Sequence, residues 1–145
     1  MVLSFKYRKE IFENRKKYFP KIPIILFNEG KRIETVALLD SGATDIFIPK
    51  GIAEALELKL ENLNEADSWT GKFKVWESKI GLIVGKGSQT FRKIISCTVP
   101  DQEWENEEVV FGRSFFHFFE IIFNEAELTT KLKRITQIKK GKIEK

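Results

Sequence analysis

The residues best suited to chemistry form one short turn, Asp40-Ser41-Gly42. Apolar runs at residues 36–39 and 46–48 flank this turn, so it is predicted to join two strands and to expose the carboxylate. The glycine would let another backbone approach closely, and the Ser41 hydroxyl could hydrogen-bond within the loop. A carboxylate in this position could act as a general acid or base.

Activation of water between two carboxylates requires a second aspartate, but Asp-Ser-Gly occurs only once in the 145 residues. Two copies of the chain could supply the pair, which would share a proton and titrate as a unit. One carboxylate would deprotonate a water while the other protonated a peptide carbonyl oxygen. A catalytic Asp40 therefore requires a partner, and a second copy of the chain is the favoured one. Asp, Ser and Gly are also ordinary turn residues, so the turn by itself has a purely structural interpretation.

The elements around this turn are predicted to be mostly strands, because apolar residues alternate between clusters of turn residues. The predicted strands and hairpins cover residues 22–27, 32–39, 45–49, 66–77, 78–84, 90–99, 108–111, 120–123 and 128–135. Short helices are predicted over residues 50–58 and 113–119. Many short strands with two brief helices indicate a mostly-β domain, either a small closed barrel or a folded-over sheet.

Composition predicts a single globular domain, with 42% hydrophobic and 32% charged residues. Cys97 is the only cysteine and no Cys/His cluster is present, which excludes an intramolecular disulfide and a structural zinc site. We therefore expect a soluble, cytoplasmic protein without a membrane segment. His117 and Cys97 both lie among apolar residues. For His117 we favour packing or surface exposure over catalysis, and for Cys97 we favour burial.

The net charge of +4 belongs to the ends of the chain. Residues 1–19 contain six Lys or Arg against two Glu, residues 131–145 contain seven against one, and residues 20–130 therefore carry −6. Residues 1–19 are predicted to form a charged arm or a short helix, and residues 136–145 a basic tail. Basic tails can bind nucleic acid, but the acidic middle of the chain makes this the less favoured function.

The sequence resembles the retropepsin-like aspartic proteases, the family of the retroviral proteases and their cellular relatives. The resemblance lies in Leu38-Leu39-Asp40-Ser41-Gly42-Ala43, followed by the apolar Ile46-Phe47-Ile48-Pro49. A second element, Val109-Val110-Phe111-Gly112-Arg113, is similar to the family's glycine-arginine stretch before its C-terminal helix. The resemblance spans roughly residues 20–135, which we take as the protease domain.

The resemblance implies a barrel of the retropepsin type, active as a homodimer on extended peptides and without metal or organic cofactor. Ser41 would brace the two loops across the two-fold axis, and the C-terminal strands would contribute to the dimer. The site residues that it implies are Asp40 as the catalytic residue; Ser41, Gly42, Ala43, Thr44 and Asp45 in the active-site loop; Trp69, Thr70, Gly71, Lys72 and Phe73 in a flap over the substrate; and Gly112 and Arg113 as structural support.

Three positions depart from the family pattern. Thr44 stands where the family often has an acidic residue that pairs with the arginine of Gly-Arg, and Asp45 comes one position later. Ser114 follows Gly112-Arg113, where retroviral members often have an acidic or amide residue. The flap has one glycine rather than a glycine-rich tip. The alternative to an endopeptidase is a catalytically silent module of the same fold that dimerises or binds peptides.

Overall fold

The structure, a computed structural model, describes residues 1–68, 71–102 and 108–136. Within these ranges the chain order is β1 (Val2–Lys6), β2 (Arg8–Phe12), β3 (Arg15–Phe19), β4 (Lys21–Asn28), β5 (Lys31–Leu39), β6 (Ile46–Phe47), α1 (Lys50–Ala55), β7 (Glu61–Ser68), β8 (Gly71–Lys86), β9 (Gln89–Pro100), β10 (Val109–Phe111), a 3₁₀ turn (Phe115–His117), β11 (Phe119–Asn124) and β12 (Thr129–Arg134). No helix in these ranges has the length and apolar character needed to cross a membrane.

Six strands close into a barrel in the order β4-β5-β10-β6-β9-β8, and pairing of β4 with β8 completes the ring. β7 continues the sheet beyond β8 as the other arm of a long hairpin. Most neighbours are antiparallel, but β10 runs parallel to β5 and β6 runs parallel to β9. The predicted mostly-β fold with a small closed barrel is therefore confirmed.

The barrel encloses an apolar core because alternate side chains of its strands point inward. In β4 the inward positions are Ile22, Ile24 and Leu26, which are at most 3% exposed. Phe111, from the short strand β10, is fully buried and stacks at 4.6 Å from Phe115 in the 3₁₀ turn. Phe111 thus joins the interior of the barrel to the segment that follows Gly112.

A second sheet, in the order β1-β12-β11, contains the predicted C-terminal hairpin and adds the first strand of the chain to it. Phe119 at the start of β11 packs against Phe91 of the barrel, with ring centroids 5.0 Å apart. This contact seats the second sheet on the barrel. The helix predicted over residues 113–119 is only a 3₁₀ turn, because β11 already begins at Phe119.

The short helix considered for residues 1–19 is wrong. These residues form β1 and the β2–β3 hairpin, whose strands are joined by the two-residue turn Glu13-Asn14. Both turn residues have positive φ, 48° and 65°, the conformation that suits tight hairpins. Alternation is seen in β1, where Leu3 is buried and Phe5 half-buried between exposed neighbours. The hairpin instead has adjacent apolar residues, Ile11-Phe12 and Tyr18-Phe19, on opposite faces of its strands. The domain boundaries at residues 19 and 135 stay predictions.

Candidate active site

Asp40 lies at the rim of the barrel, directly after β5. Its backbone N–H donates to the carbonyl oxygen of Phe111 at 3.0 Å, which ties it to β10. The Gly42 N–H donates to Asp40 Oδ1 at 2.8 Å, and the Ala43 N–H donates to the Asp40 carbonyl oxygen at 3.2 Å. The turn therefore fixes one carboxylate oxygen, while Oδ2 has no hydrogen-bond donor within the described chain. Asp40 is half-buried and remains accessible.

Gly42 contributes through its backbone. A Cβ at this position would lie 3.2 Å from Asp40 Oδ1, tighter than an ordinary van der Waals contact. Gly42 therefore lets the carboxylate approach the backbone N–H closely. The neighbouring Ser41 is exposed, and its hydroxyl makes no hydrogen bond to any described residue. The local hydrogen bond considered for Ser41 from the sequence is absent, and the Asp40–Gly42 bond closes the turn instead.

The loop after the turn is clamped by the backbone that follows β10. The N–H groups of Gly112, Arg113 and Ser114 donate to the carbonyl oxygens of Asp45, Ala43 and Thr44 respectively, each at 2.9 Å. A Cβ at Gly112 would lie 2.6 Å from the Ala43 oxygen and nearer still to that of Asp45. Only glycine allows this contact without movement of the loop, which gives Gly112 a physical reason for the supporting role predicted for it.

Two of the three departures from the family pattern, Thr44 and Ser114, meet in space. Besides its backbone N–H, the Ser114 hydroxyl donates to the Thr44 carbonyl oxygen at 2.9 Å. Sequence reasoning noted Ser114 only as a departure and missed this role, because the partners are 70 positions apart and no local pattern connects them. The Thr44 backbone oxygen thus accepts both donors of Ser114.

Arg113 is exposed and has no ion-pair partner among the described residues. A buried ion pair for its side chain, considered from the sequence, is therefore absent, and its contact with the loop is made by its backbone N–H. Asp45, the nearest acidic candidate, instead accepts a hydrogen bond from the Thr98 hydroxyl at 3.2 Å. This bond fixes the end of the loop to β9.

The predicted flap falls at the free end of the β7–β8 hairpin, where Ser68 pairs with Gly71. Trp69 and Thr70 lie outside the described residues. Gly71, with φ of 128°, opens β8. Lys72 is exposed, and its Nζ lies 3.9 Å from a carboxylate oxygen of both Glu65 and Asp67 on the opposite strand of the hairpin.

The base of this hairpin is anchored to the end of β9. The Trp76 indole N–H donates to Asp101 Oδ1 at 2.8 Å, and the Asp101 N–H donates to the Lys74 carbonyl oxygen at 2.9 Å. Lys50 Nζ, from α1, is 3.9 Å from the same carboxylate. This anchor was not predicted, because the hydrogen-bonded side chains are 25 positions apart.

A cavity of about 560 Å³ borders the loop on the Asp45 side. Asp45, Ile46, Thr98 and Ser114 line it together with polar and charged side chains of neighbouring strands, but Asp40 does not. The cavity therefore extends away from the end of the loop rather than containing the carboxylate of Asp40. Cys97 also lines it.

The other candidate nucleophile and base are poorly placed for chemistry. Cys97 is 5% exposed, and burial raises the pKa of its thiol to about 12, so it stays protonated and weakly nucleophilic near neutral pH. His117 is exposed at the end of the 3₁₀ turn. In the described part of the chain, no group of three or more His, Cys, Asp or Glu side chains is placed to hold a metal ion.

Comparison of the sequence with family models and with curated proteins gives no match. The fold does resemble solved structures. A retropepsin-like aspartic protease from Rickettsia conorii shares 18% identity over 91% of each chain, with a TM-score of 0.54. The protease of EIAV complexed with the inhibitor HBY-793 shares 13% identity over 68% of this chain and 86% of that one, with a TM-score of 0.48. The chain described here therefore has the retropepsin-like fold that its sequence predicts.

Proposed function

We propose that this protein is an aspartic endopeptidase that works as a homodimer, with one Asp40 from each subunit. The observation that carries the proposal is the state of the Asp40 carboxylate. One oxygen is held by the Gly42 N–H at 2.8 Å, and the other has no partner in the described chain. The loop behind this carboxylate is clamped by three backbone hydrogen bonds. A retropepsin-like fold that keeps an accessible carboxylate on a braced loop supports catalysis over a purely structural turn.

In this mechanism the two Asp40 carboxyl groups share one proton at the two-fold axis. Two carboxylates so close together would repel each other, so the pair is stable with one member ionised and the other protonated. The ionised member takes a proton from a water held between them, and the water oxygen attacks the peptide carbonyl carbon. The protonated member donates its proton to the carbonyl oxygen. Collapse of the resulting diol breaks the C–N bond: one carboxyl gives the proton taken from water to the leaving nitrogen, and the other carboxylate takes a proton from a diol hydroxyl, which releases the acid and the amine and restores the shared proton.

The substrate in this proposal is an extended peptide that adds a strand between the active-site loop and the flap. Backbone groups of the Gly42 region would bind the peptide's main chain, while Ala43, Thr44 and Asp45 would border its side chains. Ser41, whose hydroxyl has no partner in the described chain, would hydrogen-bond across the axis. The flap segment containing Gly71, Lys72 and Phe73 would close from the other side. The cytoplasmic location stays a prediction.

The deciding experiment compares wild type with Asp40→Asn on an unstructured protein substrate between pH 4 and 7. Wild type should cleave it, a statine-type transition-state mimic should block cleavage, and Asp40→Asn should lose cleavage while its sedimentation coefficient is unchanged. Glu54→Gln, which alters an exposed carboxylate on α1, is the matched control and should cleave normally. Cleavage by Asp40→Asn at the wild-type rate would contradict the proposal.

Two other functions predict different results, one in the assays above and one in a nucleic-acid binding assay. A catalytically silent module would sediment as a dimer but cleave none of the substrates, with or without the Asp40 substitution. A nucleic-acid-associated protein would bind DNA or RNA with strong salt dependence. Removal of residues 136–145, the basic tail beyond β12, would weaken that binding.

A further inference from the structure

Leu38 is the side chain that accompanies Asp40 on one face of β5. Side chains alternate between the two faces of a strand, and in β5 Ala37 and Leu39 are buried in the barrel while Leu38 is half-buried. Leu38 therefore faces outward, as does Asp40 two positions later. Successive residues on one face are about 7 Å apart. A peptide bound at Asp40 thus passes within side-chain reach of Leu38.

The register of the sheet extends Leu38 into an apolar strip outside the barrel. Leu38 pairs with Val110 in β10, and Val110 pairs with Phe47 in β6. All three are half-buried, whereas their chain neighbours Phe111 and Ile46 are buried in the core. Paired residues of adjacent strands share a face of the sheet. Leu38, Val110 and Phe47 therefore form one row, which we call the outer strip.

The outer strip ends in charged side chains beside Leu38. On the side away from Val110, Leu38 pairs with Lys21, the first residue of β4. Lys21 Nζ lies 2.6 Å from Glu10 Oε2 and is in contact with Glu108 Oε2. Glu108 precedes Val110 by two positions, which places both on one face, and its contact with Lys21 agrees with that placement. The strip is therefore walled by an ion cluster rather than by apolar residues.

Glu108 is the member of this cluster that can offer charge to a ligand. The Lys21 side chain is only 7% exposed and already contacts two carboxylates. Glu10 is 24% exposed and has a second cation, Arg8, whose Nε is 3.7 Å from the same oxygen. Glu108 is 34% exposed, and among the described residues Lys21 is its only cationic partner. The wall thus presents a partly exposed carboxylate that shares a single ammonium with a second acid.

The distance from Asp40 decides which side chains reach this carboxylate. β10 runs parallel to β5 with Val110 opposite Leu38, so Glu108 comes level with Val36. Four residues of strand separate that level from Asp40, about 13 Å along the sheet. A short apolar side chain would end on the outer strip. The stem of a lysine or arginine can lie along apolar surface while its charged head extends beyond it.

We propose that Glu108 is a specificity-determining residue, which selects peptides with a lysine or arginine next to the bond that is cleaved. This inference rests on the proposed function, because it takes Asp40 as the place of cleavage. The aliphatic stem of the basic residue packs on Leu38 and Val110, and its charged head pairs with Glu108. A glutamate at the same place is disfavoured, since its charge would meet Glu108 while Lys21 is enclosed.

The test uses peptides that differ at one residue. Mass spectrometry of an unstructured protein cleaved by wild type first locates a cleaved bond. Peptides with that sequence then carry lysine, norleucine or glutamate directly before the bond; lysine and norleucine have the same four-carbon stem and differ in the ammonium. Wild type should show a kcat/KM about fivefold higher for lysine than for norleucine, equivalent to about 1 kcal/mol for a partly exposed ion pair. Glutamate should be cleaved most slowly.

Glu108→Gln should bring the lysine-to-norleucine ratio to about one. Glu10→Gln is the matched control, because it removes the other carboxylate from the same ammonium and should keep the ratio. The ratio does not depend on how much of a variant is folded. A second measurement removes catalysis: Asp40→Asn protein should bind the lysine peptide about fivefold more tightly than the norleucine peptide in fluorescence anisotropy, and adding Glu108→Gln should abolish the difference.

Equal cleavage of the lysine and norleucine peptides by wild type would overturn the role of Glu108 and leave the proposed function standing, because both peptides are still cleaved. A preference that survives in Glu108→Gln, or one that is lost in Glu10→Gln instead, would overturn it as well. Absence of any cleavage by wild type would overturn the proposed function and this inference with it.

Discussion

The backbone N–H of Gly112 donates to the Asp45 carbonyl oxygen at 2.9 Å, so the residue after β10 holds the far end of the loop that begins at Asp40. Phe111, one residue earlier, accepts the Asp40 N–H at its own carbonyl oxygen. Two adjacent residues therefore fix both ends of the candidate catalytic loop. The loop's geometry depends on main-chain contacts more than on side-chain pairs.

Gly112→Ala should both destabilise the protein and displace the loop. The added methyl group would overlap the Ala43 and Asp45 carbonyl oxygens, and the loop's backbone cannot retreat without breaking its hydrogen bonds. We expect a loss of about 2–3 kcal/mol in the free energy of unfolding, typical of overpacking at a buried site. Urea denaturation followed by circular dichroism measures it.

Gly42→Ala is the matched substitution within the same loop. Its methyl group would meet only Asp40 Oδ1, at 3.2 Å, and that carboxylate can turn aside. The free energy of unfolding should change by less than about 1 kcal/mol, while cleavage should fall at least tenfold because the carboxylate has moved. Equal stability losses in the two alanine variants would contradict the difference in packing.

Ser114→Ala tests the hydroxyl contact between Ser114 and the backbone of Thr44. It removes the hydroxyl that donates to the Thr44 carbonyl oxygen but keeps the backbone N–H that donates to the same oxygen. We expect a loss of about 0.5–1.5 kcal/mol, the net value of one ordinary hydrogen bond. Ser114→Thr, which retains a hydroxyl, should lose less, and both can be measured by thermal unfolding.

Much of the barrel could be predicted because it follows from local patterns. The hairpin that leads to Asp40 shows alternating β-branched residues around Asn28-Glu29-Gly30, and the β8–β9 turn shows glycines at positions 85 and 87. The contacts that clamp the loop depend on residues about 70 positions apart, for which a single sequence shows only that Gly-Arg follows an apolar run. The pairing of β10 between β5 and β6 brings these residues next to the loop.

The strands of residues 1–19 could not be predicted from the sequence, and the reason is physical. Its positive-φ turn uses Glu13 and Asn14 rather than glycine, so the usual hairpin signal is weak. Its stabilising contact is a buried lysine between carboxylates of two other segments, Glu10 and Glu108. Neither periodicity nor composition indicates such a tertiary ion cluster.

Trp76→Phe should weaken the base of the flap. The substitution keeps an aromatic ring but removes the indole N–H that donates to Asp101 Oδ1 at 2.8 Å. A hydrogen bond to a charged acceptor contributes about 1.5–3 kcal/mol, and Lys50 at 3.9 Å would still offset part of the loss. We expect unfolding at lower urea concentration and faster amide exchange in β8. Asp101→Asn keeps an acceptor for the indole and should be milder.

Cys97 should be almost unreactive towards Ellman's reagent in the folded protein at pH 8. Burial raises the pKa of its thiol to about 12, so the thiolate is scarce, and the side chain is only 5% exposed. The reaction should follow the rate at which the structure opens, and urea-unfolded protein should react at once with one thiol per chain. Rapid reaction of the folded protein would show that the adjoining cavity admits the reagent to Cys97.

Lys21→Met should destabilise the protein at neutral pH. Removal of the ammonium leaves the partly buried Glu10 and Glu108 carboxylates without their cation, at a cost of about 2 kcal/mol. Lys31→Met is the matched control, because the Lys31–Glu57 pair is 3.7 Å long and exposed. The control should change the free energy of unfolding by less than about 1 kcal/mol.

The contact of Lys21 with Glu10 and Glu108 also predicts how the stability of the protein depends on pH. Burial lowers the pKa of Lys21, but hydrogen bonds and charge from Glu10 and Glu108 outweigh it, so that the pKa is raised in the folded protein. A raised pKa means that the folded state holds this proton more tightly than the unfolded chain does. The stabilisation is therefore complete below the ordinary lysine pKa of about 10.4 and is lost as the pH rises through the pKa of the folded state.

The stability difference between wild type and Lys21→Met, measured by urea unfolding from pH 7 to 12, should be constant up to about pH 10 and then shrink. A difference that grows with alkaline pH would contradict the ion cluster.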